Sequence, residues 1–229
     1  MTKLVARPSI RSSRPWLLGE GATTAERALV AATTVLGTLG VLALAWHAGT
    51  TWQWWQWLVV AVLAVDLLGG AAANALGASK RFYHRPLSEP AGVVERFLHH
   101  PVGFTAAHVQ PFVLVLALQV DARTHARADE RTVAWADASG GASVSVWGWA
   151  LALYMTVLAA VIVVHLAPLY LKRPAAFAVA TALLIGFTAV GHPTGLAWFA
   201  PVLAVKLVLA HAVPERAYRR GDSATEAVA

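Results

Sequence analysis

Residues 55–78, WQWLVVAVLAVDLLGGAAANALGA, form an apolar run that is interrupted by one charged side chain, Asp66. About 20 apolar residues in an α-helix cross the hydrocarbon layer of a membrane, which is about 30 Å thick. A carboxylate at that depth is costly unless it pairs with another group or serves a function. The run therefore predicts a transmembrane helix that carries a polar site.

Five further apolar runs are long enough, or nearly long enough, to cross a membrane; they cover residues 28–46, 102–120, 146–171, 175–190 and 196–213. The composition agrees, because 58% of the residues are hydrophobic and 13% are charged, whereas soluble domains carry about 25% charge. We predict an all-α fold in which residues 25–214 form a polytopic bundle of six transmembrane helices. Residues 1–24 and 215–229 are predicted to be disordered tails, and the GHPTG sequence at residues 191–195 predicts a tight hairpin between the last two helices.

The segments between the apolar runs lie alternately on the two sides of the predicted membrane. Most of the 18 Lys and Arg residues fall on one side, and only Arg123, Arg127 and Arg131 fall on the other. Cytoplasmic loops are enriched in Lys and Arg, so both termini are predicted to be cytoplasmic and the protein to lie in the cell (plasma) membrane. The basic start resembles a signal peptide, but the first run is longer than a signal core and we expect it to be retained. Because the basic residues flank apolar runs, the net charge of +6 predicts contacts with lipid headgroups and no binding of nucleic acid.

Six of the nine histidines fall at the predicted cytoplasmic end: His84, His99, His100, His108, His165 and His211. Residues 88–100, SEPAGVVERFLHH, predict a short amphipathic helix in the membrane interface between spans 2 and 3, with Ser88 as its cap. Glu95 and His99 are four residues apart and share a face of this helix. Imidazole suits zinc, copper and iron, so we take the six histidines and Glu95 as candidate metal ligands. The chain has no cysteine, which excludes disulfides and thiolate metal sites.

Two charged residues are predicted near the middle of the membrane, Asp66 in span 2 and Lys206 in span 6. Exposure of either charged side chain to lipid costs free energy, so we expect the two to approach each other, as an ion pair or through a water. The small residues 69–73 that follow Asp66 allow close helix packing. Asn74 and Tyr154 are predicted to line a pocket. Three prolines are expected to bend their spans: Pro111, Pro168 and Pro201.

The sequence leaves several functions open. The first is a membrane metalloenzyme with iron, copper or zinc at its cytoplasmic face, acting as an oxidoreductase or hydrolase on a lipid-soluble substrate. A haem held by His108 and His165, or by His165 and His211, is a less favoured variant. The second is a small transporter or channel that uses Asp66, Lys206 and the histidines as a polar pathway. The third is a non-catalytic membrane subunit or scaffold, whose oligomeric state the sequence does not indicate.

Overall fold

The computed structural model describes residues 18–19, 21–84, 92–124, 135–136 and 146–214. Five of its helices are long and apolar enough to cross a membrane: Thr24–His47, Trp54–Ala75, Pro101–Leu118, Val146–Leu166 and Leu169–Ala189. A shorter apolar helix covers Phe199–His211. The predicted all-α, multi-pass membrane bundle is thus confirmed. Most of both predicted tails, together with Ser88 and His125, lies outside the described residues.

The helices of the first half are α1 (Thr24–His47), α2 (Trp54–Ala64), α3 (Gly70–Ala75), α4 (Gly77–Tyr83), α5 (Val93–His99), α6 (Pro101–Ala106) and α7 (Gln110–Thr124). The helices of the second half are α8 (Val146–Leu166), α9 (Leu169–Ala189) and α10 (Phe199–Ala204). Two π-helical segments lie within spans, π1 (Val65–Gly69) between α2 and α3, and π2 (Val205–His211) after α10. Two short strands, β1 (Trp135–Ala136) and β2 (His192–Pro193), pair antiparallel. This pairing joins the segment before α8 to the turn between α9 and α10.

The two π-helical segments lie at the centre of the bundle packing. π1 packs against α1, and π2 packs against α3. A π turn holds one more residue than an α turn, which changes the direction of the side chains that follow. The Ala212 N–H shows this spacing, since it donates to the carbonyl of Leu207, five residues earlier. The core around them is apolar and includes buried Leu67, Leu203 and Phe199.

Span 3 is broken, although the sequence analysis treats residues 102–120 as one continuous run. Helix α6 ends at Ala106 and α7 begins at Gln110. Pro111 lies in the first turn of α7, where a proline fits without loss of a hydrogen bond. The interruption therefore precedes the proline that was expected to bend the span.

The last three apolar helices also differ in detail from the predicted runs. The fourth helix ends at Leu166 and not at residue 171, because Pro168 separates α8 from α9. Helix α9 begins at Leu169 and thus contains Lys172, which the sequence analysis places in a loop. Pro201 lies inside α10, which continues directly into π2 without a break.

The two ends of the bundle differ in composition. At one end, the rings of Tyr83, His99 and His211 are in contact, with Tyr83 5.7 Å from His99 and 5.1 Å from His211 between ring centroids. We call this the histidine end. At the opposite end, Trp57 contacts Trp46 and Trp52. A short helix is present within the predicted residues 88–100 as α5, but it begins at Val93 with Gly92 as its N-cap. Its apolar residues, such as Val93 and Phe97, are exposed.

Candidate functional site

An ion pair joins the second span, Trp54–Ala75, to the Phe199–His211 helix inside the apolar bundle. Lys206 Nζ donates to Asp66 Oδ2 at 2.8 Å. The two residues that the sequence analysis pairs are therefore in direct contact. Asp66 lies in π1 and Lys206 in π2, and π-helical turns are frequent at functional sites. The Lys206 side chain is 4% exposed and the Asp66 side chain 45% exposed, so the pair is open on the Asp66 side.

The close packing of α3 against π2 depends on Gly70. A β-carbon at residue 70 would lie 2.6 Å from Lys206 Cε and 3.0 Å from its Nζ, so any larger residue requires the end of the lysine side chain to shift. Gly69 plays the same part on the other face, where an added β-carbon would lie 2.6 Å from Thr34 Oγ1 of α1. The small residues after Asp66 thus allow the close approach for which the sequence analysis selects them.

Gln110 adds a third side chain to the ion pair. Its Nε2 donates to Asp66 Oδ2 at 2.9 Å, so one carboxylate oxygen accepts from both Lys206 and Gln110. The Gln110 Oε1 is buried and has no hydrogen bond from the described residues. Gln110 was not among the predicted site residues. The signal was present in the amide group, which lies inside an apolar run directly before Pro111.

His108 lies in the break of span 3, next to the ion pair. It is buried, and its Nδ1 lies 2.7 Å from the carbonyl oxygen of Phe104. A carbonyl only accepts, so Nδ1 carries the proton and donates. Nε2 then holds a lone pair and can accept a proton. His108 is also close enough to Lys206 and Asp66 to interact electrostatically with both.

The aromatic ring of Phe104 connects His108 to His211 at the histidine end. The Phe104 ring lies 4.5 Å from that of His108 and is stacked on that of His211 at 3.7 Å, between centroids. His211 is buried, and its Nε2 has no hydrogen bond from the described residues. It also interacts electrostatically with Lys206, His108 and His84. The sequence analysis did not single out Phe104, because nothing in the sequence distinguishes it from an ordinary core residue.

His84, the residue that follows α4, is the last histidine of this series. Its Nε2–H donates to the His211 carbonyl at 3.0 Å, while Lys80 Nζ donates to the Val213 carbonyl at 2.9 Å. These donors satisfy carbonyls at the C-terminal end of π2. Burial lowers the pKa of His84, an effect that its hydrogen bond to His211 partly opposes. Burial also raises the pKa of the Tyr83 hydroxyl.

The predicted metal ligands form two groups at the histidine end. His84, His99, His108 and His211 surround Tyr83 and Phe104. His100 and His165 form a separate contact, with ring centroids 4.6 Å apart. Glu95 is exposed on α5. In the described part of the chain, no three His, Asp or Glu side chains are arranged so that they could hold one metal ion. The metal site stays a prediction.

The two residues predicted to line a pocket have different environments. Asn74 is buried in α3, and its Nδ2 makes no hydrogen bond with the described residues. Tyr154 Oη donates to the Ala106 carbonyl at 2.9 Å, and the Tyr154 ring contacts Phe112. Tyr154 therefore satisfies a carbonyl that the break in span 3 deprives of its helical donor. It supports the backbone next to His108.

Lys206, His108 and His211 form a series of basic groups that leads to the histidine end, and each interacts electrostatically with the next. A comparison of the chain with protein families, with curated proteins and with solved structures finds no match.

Proposed function

We propose that this protein is a membrane transporter that moves protons between the Asp66–Lys206 pair and the histidine end of the bundle. The observation that carries the proposal is the ion pair itself, in which a buried lysine meets a half-exposed carboxylate on two π-helical segments. Charged groups inside a membrane are rare and usually belong to transport pathways or proton relays.

The unfilled hydrogen-bonding groups around the pair support a hydrated route. Asp66 Oδ1, Gln110 Oε1 and His108 Nε2 are acceptors that make no hydrogen bond with the described residues. Lys206 uses one of its three N–H groups on Asp66. Water both donates and accepts, so a bridging water meets these needs together.

The proton step follows from the tautomer of His108. A Lys206 N–H bond breaks, the proton passes to His108 Nε2 directly or through water, and the N–H electron pair stays on Lys206. His108 becomes an imidazolium. Its Nε2–H bond then breaks, and water carries the proton past the Phe104 ring to His211 Nε2 and on towards His84, while the electron pair stays on His108. The Phe104 ring is stacked on that of His211 and tilted against that of His108, so it contacts both imidazoles.

The broken third span supports the same proposal. Interrupted helices in membranes are tolerated where they are buried in protein or line a water-filled cavity, and they form binding sites in many transporters. We further propose that the Phe199–His211 helix completes a sixth crossing, that the histidine end is cytoplasmic and that the membrane is the plasma membrane. The concentration of Lys and Arg at that end supports this orientation.

Proton movement can be measured in proteoliposomes that contain a pH-sensitive dye and are driven by a potassium diffusion potential. We expect flux from the unaltered protein, and a loss of most of this flux in Asp66→Asn and in His108→Phe, which keeps an aromatic ring against Phe104. His47→Gln is the matched control, because His47 is exposed at the tryptophan end and should leave the flux unchanged. A proton flux equal to that of protein-free vesicles would refute proton movement by this protein in the absence of a co-transported solute.

Water access gives a second test that does not depend on flux. The chain has no cysteine, so an introduced thiol is the only one present. Gln110→Cys places a thiol beside Asp66, whereas Val113→Cys places one on the 43% exposed face of the next turn of α7. A charged, membrane-impermeant thiol reagent should modify residue 110 in membranes and leave residue 113 unmodified. Equal protection of both positions would show that no aqueous route reaches the ion pair.

A metalloenzyme is the second candidate function. It is favoured by the 6.0 Å separation of the His84 and His211 ring centroids and by the unpartnered Nε2 of His211. Elemental analysis of the purified protein tests it. Stoichiometric iron, copper or zinc that is lost in His211→Phe would support the enzyme, and metal-free protein with intact proton flux would eliminate it.

A further inference from the structure

A second group of basic side chains at the histidine end lies apart from the ion pair. The His100 and His165 rings are in contact at 4.6 Å between centroids, across the junction of α6 and α8. Lys172 lies in the first turn of α9, just after Pro168, and is half-buried. It interacts electrostatically with both His165 and His84. The junction of α5 and α6, the end of α8 and the start of α9 thus bring nitrogen donors close to one another.

Within the described residues, no carboxylate is among the electrostatic neighbours of His165, His84 or Lys172. Asp66 is engaged with Lys206 and Gln110, Glu26 is held by Thr23 in the first turn of α1, and Glu95 is exposed on α5. The electrostatic neighbours of His165 are His100 and Lys172, both of which are basic. A cluster of basic side chains between transmembrane helices at the headgroup level attracts anionic phosphate groups.

The surface beside the cluster is apolar and open. On α8, Val163 is 53% and Leu166 76% exposed, and Tyr170 at the start of α9 is 58% exposed. Hydrocarbon chains cover such a surface in a membrane, and the tyrosine is of the type that lies at the headgroup level. The basic cluster therefore lies where the phosphate of a lipid meets its acyl chains.

We propose that His100, His165 and Lys172 form a binding site for an anionic phosphate group. Lys172 supplies the charge, and the two imidazoles supply N–H donors to the phosphate oxygens. The phosphate comes from an anionic phospholipid or from free phosphate, which differ in whether acyl chains are needed. This site shares no residue with the proton route, although Lys172 interacts electrostatically with His84.

Native mass spectrometry of the delipidated protein in detergent tests the proposal. Phosphatidic acid, phosphatidylcholine and inorganic phosphate are added separately to the unaltered protein. We expect saturable binding of phosphatidic acid over phosphatidylcholine, and about fivefold weaker binding after Lys172→Gln or His165→Gln. Lys172→Arg should retain binding, which separates loss of charge from loss of fold.

Arg81→Gln is the matched control, because Arg81 is an exposed cation at the same end of the bundle and lies on α4. It should leave phosphatidic acid binding within twofold of the unaltered protein. Displacement of the lipid by millimolar inorganic phosphate would identify free phosphate as a ligand, and a lack of displacement would identify the lipid. Equal binding of both lipids, or equal losses in Arg81→Gln and Lys172→Gln, would overturn the proposal.

Discussion

Gly70 and Lys206 pack so closely that a single methyl group on residue 70 would overlap the end of the lysine side chain. We predict that Gly70→Ala displaces Lys206 from Asp66 and lowers the free energy of unfolding by about 1–3 kcal/mol, the usual cost of overpacking. For a chain of this size, that change lowers the melting temperature by about 2–4 °C per kcal/mol.

Gly40→Ala is the control for this change. Gly40 also lies in a helix, α1, but an added β-carbon there meets nothing within 4 Å. Its replacement by alanine should leave stability unchanged or raise it by up to about 1 kcal/mol. Thermal unfolding of both variants in detergent gives the comparison, and equal effects at residues 40 and 70 would refute the close packing.

Lys206→Met should destabilise the protein, because it leaves Asp66 without its cation. Breaking a buried ion pair by removing one partner costs about 3–5 kcal/mol. Adding Asp66→Asn removes the remaining charge and should recover much of the lost stability. Thermal unfolding of the single and double variants forms a double-mutant cycle, and strictly additive losses would show that the pair is not coupled.

Tyr154→Phe removes one hydroxyl and keeps the ring against Phe112. The Ala106 carbonyl then loses the donor that it has in the structure, at a cost of about 1–3 kcal/mol for a buried acceptor. We also expect faster amide hydrogen exchange at residues 107–109, which form the break. Unchanged exchange there would mean that another donor, such as water, replaces the tyrosine.

Acid should destabilise the protein through His84. Burial lowers the pKa of His84 in the folded state, so the unfolded chain binds the proton more readily. Stability from this residue is therefore complete above the ordinary histidine pKa of about 6.5 and falls as the pH drops below it. One proton contributes a slope of at most about 1.4 kcal/mol per pH unit.

Unfolding measured at pH 7.5 and pH 5.5 should show a smaller pH effect in His84→Gln than in the unaltered protein. The positive charges that face His84, from Lys80 and Lys172, act in the same direction as burial, as does His99. An identical pH effect in the two proteins would assign the acid sensitivity to other groups.

The sequence was sufficient to predict the helices and the ion pair, for physical reasons that act locally. A long apolar run has no stable alternative to a helix in a membrane, and two opposite charges in such runs have few partners other than each other. The division of the histidines into two groups was not predictable in this way. It depends on the direction of each side chain around its helix, which the π-helical segments and the break in span 3 alter.

Gln110 is an example of a site residue whose contact could not be predicted from the sequence. Its position in an apolar run marks it as unusual, but its contact with Asp66 depends on where α7 begins. That start is set by hydrogen bonds from Tyr154 and His108 to carbonyls of α6, which are contacts of tertiary structure. Periodicity along one segment carries no information on them.

The break at His108 has one consequence for how span 3 can change shape. The Phe104 carbonyl accepts from the His108 ring, and in an unbroken helix it would accept from the backbone N–H of the same residue. The Ala106 carbonyl likewise accepts from Tyr154, where an unbroken helix would supply the N–H of Gln110. Both carbonyls thus have a donor in the kinked and in the straight form. A change between the two forms would replace the side-chain donors of His108 and Tyr154 with backbone N–H donors, and each carbonyl would keep one hydrogen bond.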